Sequence, residues 1–567
     1  MAYRTEHPKP QFMRDDWTCL NGTWDFAFDP GISGEARGMQ LAEAAYTHKI
    51  EVPFCPESRL SGIGNIDYMY SVWYRRRIRV TAAQLKGRVL LHFGAVDYRA
   101  KVFFNGTLCG THKGGYSSFT LDVTDFLQEG ENLLVVNAED NVRDPMIPSG
   151  KQCDRYASNS CLYTRTTGIW QTVWLEFVPE THLRSVIYHT DVQTGTVTIE
   201  AKVSGAATLS AAVSYKGKPM GSACVAVGGE QAVLSIPLKE IHLWEPGHGR
   251  LYDVELTYGI DHVKSYFGLR SVRMDGYKFM LNEKSVFQRL VLDQGFYPEG
   301  IYTAPSEEAL EKDIDLSLAL GFNGARLHEK VFEERYLYHC DRKGYMVWGE
   351  FPDWGINVSR SESVYPVLSE WIEVLARDRN HPSIIGWCPF NETWDNLWRK
   401  QYDDMLALVY KVTKAIDPSR PCIDTSGCYH VMTDIFDVHN YTQDPKELAA
   451  CYDSLVTDGT ITDVHSHRQT YKPGTPIFVS EYGGIGYAVD GTGWSYGDNP
   501  KTAEEFYTRL RGLTEALMNN PCLFGYCYTQ LTDVEQEQNG LYTYDRQPKF
   551  DVAVLKDIFG GKAAIEA

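Results

Sequence analysis

The chain has 567 residues, more than one hydrophobic core usually organises, so we expect two to four domains. Its formal net charge of −19 argues against a nucleic-acid partner and against an anionic membrane surface, because phosphate binding requires a basic patch. No run of about 18 apolar residues is present, which excludes a membrane-spanning helix.

Cysteine usage and the N-terminal residues predict a cytoplasmic protein. The thirteen cysteines are odd in number, lack CxxC pairs and lie in several cases inside apolar runs, so we expect them to be reduced and buried. The first residues contain no apolar segment of the kind found in a signal peptide. No Cys/His group has the spacing of zinc ligands. We therefore predict no metal site and no cofactor.

Residues 1–180 predict an all-β sandwich, because short segments of alternating polarity are separated by turns rich in Gly and Asn. Segments 22–28, 89–93 and 132–136 show this pattern most clearly. The same pattern continues over residues 181–273 in a smaller unit, whose length suits an immunoglobulin-like β-sandwich.

From residue 274 to 567 the pattern changes, since apolar strands now alternate with helical stretches, which is typical of a parallel sheet. Helices are predicted over 306–319, 331–343, 364–379, 403–415 and 501–519. Eight strands are predicted, at 287–294, 322–328, 345–350, 384–390, 421–425, 435–439, 476–481 and 523–530. Eight strands in a segment of this length indicate a (β/α)₈ TIM barrel.

The active site of such a barrel lies at the C-terminal ends of its strands. Polar residues close most of the predicted strands: Asp293, Gln294, Arg326, His328, Glu350, Asp353, Asn391, Glu392, Asp424, His439, Asn440, Tyr441, Glu481, Tyr528 and Gln530. Any one of them could simply begin a loop. Their recurrence at one strand end after another favours a common pocket.

Two of these residues, Glu392 and Glu481, each follow an apolar run and would meet across that pocket. Paired carboxylates favour glycoside hydrolysis, in which one attacks the anomeric carbon while the other protonates the leaving oxygen. Because nearby carboxylates repel, one is held protonated. Asn391 could bind a sugar hydroxyl, and Tyr441 could donate to Glu481. Taken alone, Glu392 would also fit a salt-bridged helix start.

Short motifs along the whole chain resemble glycoside hydrolase family 2, which contains β-galactosidases, β-glucuronidases and β-mannosidases. In the first domain the resemblance lies in segments 10–12, 20–24, 72–76 and 167–176, and in the third in 321–326, 380–384, 391–392, 480–481 and 538–541. It implies a jelly-roll sugar-binding domain, an immunoglobulin-like domain and a catalytic barrel. It also implies Glu392 as the acid/base and Glu481 as the nucleophile.

Departures from the family pattern bear on the substrate. Family members that cleave glucuronides carry an Asn-x-Lys element where this chain reads Gln538-Asn539-Gly540-Leu541, which disfavours a glucuronide. The histidine follows Arg326 by two positions rather than three, at His328. The magnesium-binding Glu/His pair of large β-galactosidases is missing from 350–355, so no essential metal is predicted. Tyr526 or Tyr528 replaces the usual eighth-strand tryptophan, and the end of the chain near Lys549 implies a compact three-domain form.

Tryptophans in the loops after strands could floor the pocket by stacking on a sugar ring, although for each of them alone packing is the favoured interpretation. They are Trp354, Trp394, Trp398 and Trp494. The predicted substrate-binding set is Asn391, Tyr441, Arg326, His328, Asp293, Asp353, Trp354, Trp394, His439 and Tyr528.

The sequence thus predicts an exo-acting retaining β-glycosidase that uses a two-glutamate double displacement, most simply a β-galactosidase-like enzyme on oligosaccharides or glycosides. Alternative substrates are β-mannosides, α-L-arabinosides and uronides. A carbohydrate-binding protein without activity is an alternative of another class, against which the intact glutamates speak. The resemblance further suggests a homodimer or homotetramer.

Overall fold

A computed structural model describes residues 4–396, 399–465, 467–489, 491, 493–496 and 499–566. The first domain is a sandwich of two antiparallel sheets. In sheet order, the smaller sheet contains Trp17–Cys19, Val173–Val178, Arg88–Phe93 and Phe119–Asp122. The larger contains His48–Val52, Gly22–Phe28, Ser71–Val80, Gly130–Glu139, Arg99–Phe104 and Thr107–Lys113. A two-stranded ribbon pairs Val96–Asp97 with Gly168–Ile169.

The alternating sequence of these strands explains why the two sheets pack. In Gly22–Phe28, for example, Trp24 and Phe26 are buried while Thr23 points to solvent. Burial of alternate apolar side chains from both sheets forms one continuous core between them.

The second domain is a smaller antiparallel sandwich. One sheet contains His182–Asp191, Thr196–Ser204 and Gln231–Pro237, and the other contains Lys218–Val227, Ala207–Tyr215, Tyr252–Tyr258 and Asp261–Phe267. A short meander of Val272–Asp275, Lys278–Leu281 and Lys284–Ser285 leads to the third domain.

The third domain is a curled parallel sheet surrounded by helices. Its strand order is Ile384–Cys388, Met346–Glu350, Gly324–Leu327, Gln288–Asp293, Leu523–Thr529, Ile477–Gly483 and Phe436–Asn440. The α-helices are Glu307–Ala319, Glu334–Lys343, Val364–Asp378, Asp403–Ile416, Pro445–Ala450, Ser454–Thr457, Ala503–Met518 and Val552–Phe559. Short 3₁₀ turns lie at Gln84–Lys86, Thr124–Phe126, Ser361–Ser363 and Ala564–Glu566.

The predicted fifth strand, 421–425, joins the sheet only through isolated parallel bridges, between Trp387 and Cys422 and between Asn391 and Ser426. Pro421 has no N–H to donate to a ladder. The buried carboxylate of Asp424 instead accepts hydrogen bonds from the backbone N–H groups of Val431 and Met432. The described residues therefore form a seven-stranded sheet that this irregular segment partly closes.

The architecture confirms the predicted fold class of two β-sandwiches followed by an α/β barrel domain. Some of the helices begin where a side chain caps them, as Ser306 and Thr502 do by accepting from the backbone N–H groups of Ala309 and Glu505. Among the described residues, no helix is both long and apolar enough to cross a membrane.

Candidate active site

The two glutamates singled out by the sequence lie side by side at the C-terminal edge of the sheet. Glu481 is part of the strand Ile477–Gly483, where its register partner on the neighbouring strand is His439. Glu392 follows Ile384–Cys388 in a left-handed conformation, with φ of 50°, and its N–H donates to the carbonyl of Ser426. The irregular fifth segment thus fixes the backbone that carries Glu392.

The carboxylates are close enough to act on one atom. One oxygen of Glu392, one oxygen of Glu481 and a ring nitrogen of His439 lie within 4.8 Å of one another. His439 Nδ1 is 2.7 Å from Glu392 Oε1 and 3.4 Å from Glu481 Oε2. The separation between the two carboxylate oxygens matches the short spacing between the carboxyl groups of retaining glycosidases, about 5 to 5.5 Å. The carboxyl groups of inverting glycosidases are farther apart.

Glu481 is held ionised by its surroundings. Although burial favours the neutral acid, His439, Arg326 and His328 together with a hydrogen bond from Tyr441 lower its pKa well below the usual range. Arg326 Nη1 lies 3.0 Å from Glu481 Oε1, and the Tyr441 hydroxyl donates to Oε2. An ionised, oriented carboxylate at this position suits a nucleophile.

Arg326 is itself fixed from the opposite side. Its Nη2 donates to Glu350 Oε2 at 2.7 Å and to Asn391 Oδ1 at 2.9 Å, and Glu350 Oε1 lies 2.8 Å from His328 Nδ1. Burial lowers the pKa of His328, whereas Arg326 and His328 outweigh the burial of Glu350 and lower the pKa of that carboxyl. Glu350 therefore acts as a charged anchor beneath Glu392 and Glu481.

Asn391 presents a free amide to the pocket. Its Oδ1 is occupied by Arg326 and its backbone N–H donates to Asp353 Oδ1 at 2.6 Å, while its fully buried Nδ2 has no partner among the described residues. An unpaired buried donor is costly, and a hydroxyl oxygen of a bound sugar would satisfy it. Burial raises the pKa of Asp353 to about 7.

Tyr441 is supported by an aromatic partner. Its ring stacks on Tyr496 at a centroid distance of 4.3 Å, and its hydroxyl lies 3.2 Å from Thr529 Oγ1. The alternation of the last strand thus directs Thr529 toward the pocket. Tyr528, which the sequence placed in the binding set, packs instead against Phe559 of the outer helix, at 5.4 Å.

Other predicted residues lie around the pocket rather than on the glutamates. Asp293 accepts from the Gly295 N–H and from the Tyr336 hydroxyl, and burial raises its pKa to about 6. Trp394 packs edge-on to Tyr429, and Trp494 pairs through its backbone with Glu537. Trp398 lies outside the described residues.

Trp354 has one face covered by a lysine of the first domain. Lys151 Nζ lies 3.8 Å from the centroid of the indole ring, whose Nε1 donates to the carbonyl of Asn391. The aromatic surface predicted to stack on a sugar is thus shared with a cation. No motif in the sequence pointed to Lys151, because it reaches the pocket from a different domain.

Glu537 is a second residue that the sequence did not predict, although it directly precedes the stretch Gln538–Leu541, which departs from the family pattern. Its carboxylate accepts hydrogen bonds from Tyr163, a first-domain residue, and from Asn539 Nδ2 at 3.1 Å. Burial raises the pKa of Glu537 to about 7. The first sandwich therefore contributes to the wall of the pocket.

A cavity of about 510 Å³ opens next to Glu392 between the first domain and the barrel. Gly150, Gln152 and Leu162 line one side, and Trp354 and Trp394 line the other. Glu392 is the more exposed of the two glutamates, with 23% of its side chain accessible against 5% for Glu481, so this cavity gives solvent access to Glu392.

Glu392, His439 and Glu481 are also the residues that could hold a metal ion, because each has a ligand atom within 4.8 Å of the others. In the structure these atoms are engaged with one another and with Arg326 and Tyr441.

Barrel, sandwich domains and a close carboxylate pair define the class of protein, which is a glycoside hydrolase. The chain matches the profile "Glycosyl hydrolases family 2, TIM barrel domain" over residues 273–562, just over half its length. It also matches the family's sugar-binding domain over residues 62–175 and its "Glycosyl hydrolases family 2" profile over residues 181–270. The chain belongs to glycosyl hydrolase family 2.

Its relatives carry two different activity names. A β-galactosidase of Thermoanaerobacter pseudethanolicus is 29% identical over 63% of this chain, which spans only 48% of that relative. A β-glucuronidase of Paenibacillus borealis is 24% identical over 95% of this chain and 96% of its own length. The structure of Lactobacillus rhamnosus β-glucuronidase superposes with a TM-score of 0.79 at 20% identity, covering 96% of this chain and 97% of that one. The fold is shared, and the names leave the sugar open.

Proposed function

We propose that this chain is a retaining exo-β-glycosidase in which Glu481 is the nucleophile and Glu392 the acid/base. The observation that carries the proposal is the approach of the two carboxylates to within 4.8 Å, the spacing needed for a covalent intermediate. The depressed pKa of Glu481 and the greater exposure of Glu392 support this assignment of the two roles.

In the first step Glu481 attacks the anomeric carbon and the bond from that carbon to the leaving oxygen breaks. Glu392 transfers its proton to that oxygen, which departs as an alcohol. In the second step Glu392, now ionised, takes a proton from water. The resulting hydroxyl attacks the anomeric carbon and displaces Glu481, so the sugar leaves with its original configuration.

The residues around the pair support this assignment. Asn391 Nδ2 is available to a sugar hydroxyl, and Arg326 balances the charge of the nucleophile. Contacts between the first domain and the barrel, through Lys151 on Trp354 and Tyr163 on Glu537, close one side of the pocket. A pocket closed on one side accommodates a terminal sugar, which supports exo action.

The test is the hydrolysis of a panel of aryl β-glycosides by the wild type and by Glu481→Gln. We expect the variant to lose at least about 10⁴-fold in kcat, since removing the nucleophile disables the whole group of catalytic residues that work together. NMR of the first product formed by the wild type should show the β-anomer. An α-anomer would overturn the nucleophile assignment. A wild type as inert as the variant on every sugar would overturn the enzyme in favour of a binding protein.

Glu370→Gln is the matched control. Glu370 is another buried carboxyl of the barrel, outside the pocket, where it accepts from the backbone N–H of Tyr116 at 2.6 Å. Burial raises its pKa to about 8, so the amide replaces a group that is largely neutral at pH 7. This variant should keep the activity of the wild type.

The residues that line the pocket determine which sugar binds. The sequence favours a β-galactoside and disfavours a glucuronide, whereas relatives of both names match the chain. The same aryl panel should include galactoside, mannoside, arabinoside and uronide members, because the residues at the walls discriminate among them.

A further inference from the structure

Lys151 is a buried cation that enters the pocket from the first domain. It follows the turn at Gly150, whose N–H donates to the carbonyl of Trp354, and its own carbonyl accepts from the Tyr163 N–H. The backbone of Lys151 is therefore anchored on both sides. Its position is set by the contact between the sandwich and the barrel.

The ammonium group has few partners within the chain. Lys151 is only 3% exposed. Among the described residues no carboxylate lies within 4 Å of Nζ and no group accepts a hydrogen bond from it, leaving the indole of Trp354 at 3.8 Å as its contact. A desolvated ammonium normally has a hydrogen-bonded anionic partner. Lys151 thus has donors to spare.

The cation is nevertheless kept charged. Burial alone would lower the pKa of Lys151, but Cys161, Glu537, Glu392 and Glu481 outweigh it and raise that pKa. The indole ring under Lys151 donates through its Nε1 to the carbonyl of Asn391, the residue before Glu392, so Lys151 lies beside the same pocket.

We propose that Lys151 binds the carboxylate of a terminal uronic acid, so that the substrates are β-linked uronides. The proposal rests on the retaining mechanism above and adds the class of sugar. A carboxylate on the sugar would supply the anionic, hydrogen-bonding partner that Nζ lacks. Other residues of the pocket would select the configuration of the sugar's hydroxyl groups.

This route differs from the Asn-x-Lys element whose absence argued against a glucuronide. In its place the chain has Glu537 and Asn539, which are bonded to each other and to Tyr163 and Gln530. That side of the pocket is acidic and already satisfied, so it offers nothing to a carboxylate. The complementary charge comes from Lys151, on the first domain.

The experiment compares the wild type, Lys151→Met and Lys151→Arg on aryl β-glucuronide, β-galacturonide and β-galactoside. We expect the wild type to prefer one of the two uronides. Lys151→Met should lose about 100-fold or more in kcat/KM on that uronide, the scale for removing one partner of a buried charge pair, with a much smaller loss on the galactoside. Lys151→Arg, which keeps the charge, should recover part of the loss.

Lys113→Met is the matched control, because Lys113 lies in the same domain and also contacts an aromatic ring, Tyr98, at 5.8 Å, but not the pocket. Melting temperatures of all variants separate misfolding from lost recognition. A folded Lys151→Met with unchanged preference for uronide would overturn the proposal.

Two further outcomes separate this proposal from the one beneath it. A wild type that cleaves the galactoside and neither uronide would overturn the role of Lys151 and leave the retaining glycosidase intact. A wild type inert on all three and no better than Glu481→Gln would remove the proposed function and the inference together.

Discussion

His439 is the side chain that contacts both carboxylates of the proposed catalytic pair. Its Nδ1 contacts Glu392 and Glu481, while its Nε2 lies 3.0 Å from Ser426 Oγ. Burial works against the charged ring, but the two carboxylates outweigh it and raise the pKa of His439. In turn the imidazolium is the neighbour that most lowers the pKa of Glu481. Protonated His439 therefore keeps Glu481, the proposed nucleophile, ionised.

Replacing His439 by Gln should move the acidic limb of the kcat/KM profile to higher pH. A carboxyl group with a depressed pKa is ionised above that pKa, and its ionised form is lost as the pH falls through that value. Removing the main cation should therefore raise the limb by about 1 to 3 pH units. Steady-state kinetics between about pH 3 and 8 check this, a range that spans the ordinary carboxyl and imidazole pKa values. Ser426→Ala, which removes a contact but no charge, should shift it less, and superimposable profiles for His439→Gln and wild type would contradict the role.

The role of Glu392 predicts a dependence on the leaving group. Glu392→Gln cannot donate a proton, so hydrolysis of aryl glycosides with poor leaving groups should fall by about 10² to 10⁴. The glycosylation step with dinitrophenyl glycosides, whose leaving oxygen needs no proton, should change much less. Added azide, which needs no base, should then accelerate the second step. Equal losses for both classes of leaving group would contradict an acid/base role.

The residues that the sequence could identify are those that end barrel strands. Glu392, Glu481, Asn391, Arg326 and Tyr441 were visible because each is polar after an apolar run, and the structure brings them together. Lys151 was invisible because its loop belongs to another domain. A single sequence gives no distance between such segments.

At the scale of elements, the segment 145–152 of the first domain docks on the barrel loop 353–357. Ser149 and Gly150 donate to the carbonyl of Trp354, and Asn357 donates to that of Pro145. Gly150 has φ of 55°, and a Cβ there would lie 2.2 Å from the carbonyl oxygen of Glu329. The close approach requires glycine, and Lys151 follows immediately.

Gly150→Ala should therefore impair activity beyond its effect on stability. Gly276 has nearly the same φ, 56°, but an added Cβ there would meet nothing within 4 Å, so Gly276→Ala carries only the left-handed strain of about 1 to 2 kcal/mol. Gly150→Ala must also displace the docked segment, and a shift of about 1 Å at a binding group can cost up to about 100-fold in kcat/KM. Urea midpoints and kcat/KM of both variants check this. Equal kinetics for the two would contradict the link between docking and activity.

The sequence predicted well the elements whose apolar residues recur with a clear period. It did not predict segments whose backbone is held by hydrogen bonds to side chains. The third long helix was expected over 364–379 and runs over Val364–Asp378. The fifth strand, expected over 421–425, gives way to an irregular segment because Asp424 caps the following turn with its side chain. A local sequence pattern does not show that hydrogen bonds to a side chain will replace the backbone hydrogen bonds of a strand.

At the scale of the whole molecule, Arg14 ties the N-terminal segment to both sandwich domains. Its guanidinium lies 2.8 Å from Asp261 of the second domain and 3.0 Å from Glu176 of the first, and it donates to the carbonyl of Leu183. All three charged groups are buried. Since Lys151 of the first domain reaches the proposed site in the barrel, the packing of the domains is part of the geometry of that site.

Arg14→Met should destabilise the molecule by about 3 to 5 kcal/mol at pH 7, because it removes the arginine that two buried carboxylates share. Urea unfolding followed by fluorescence measures this. The matched control is Lys264→Met, which removes the neighbouring but exposed pair with Asp15, at 2.7 Å. Such a pair contributes about 1 kcal/mol or less. Equal losses for both variants would contradict the importance of Arg14.

The pH dependence of the same comparison tests the electrostatic cause. Burial opposes ionisation of Glu176, but a contact with His92 and the charge of Arg14 lower its pKa to about 2, from an ordinary 4.5. A carboxyl group whose pKa is lowered in the folded state stabilises the fold at pH values above its pKa in the unfolded state. That contribution is lost as the pH falls through its pKa in the folded state. The difference in stability between wild type and Arg14→Met should therefore shrink between pH 4.5 and about 2. A difference that stays constant across this range would assign the effect of Arg14 to packing rather than charge.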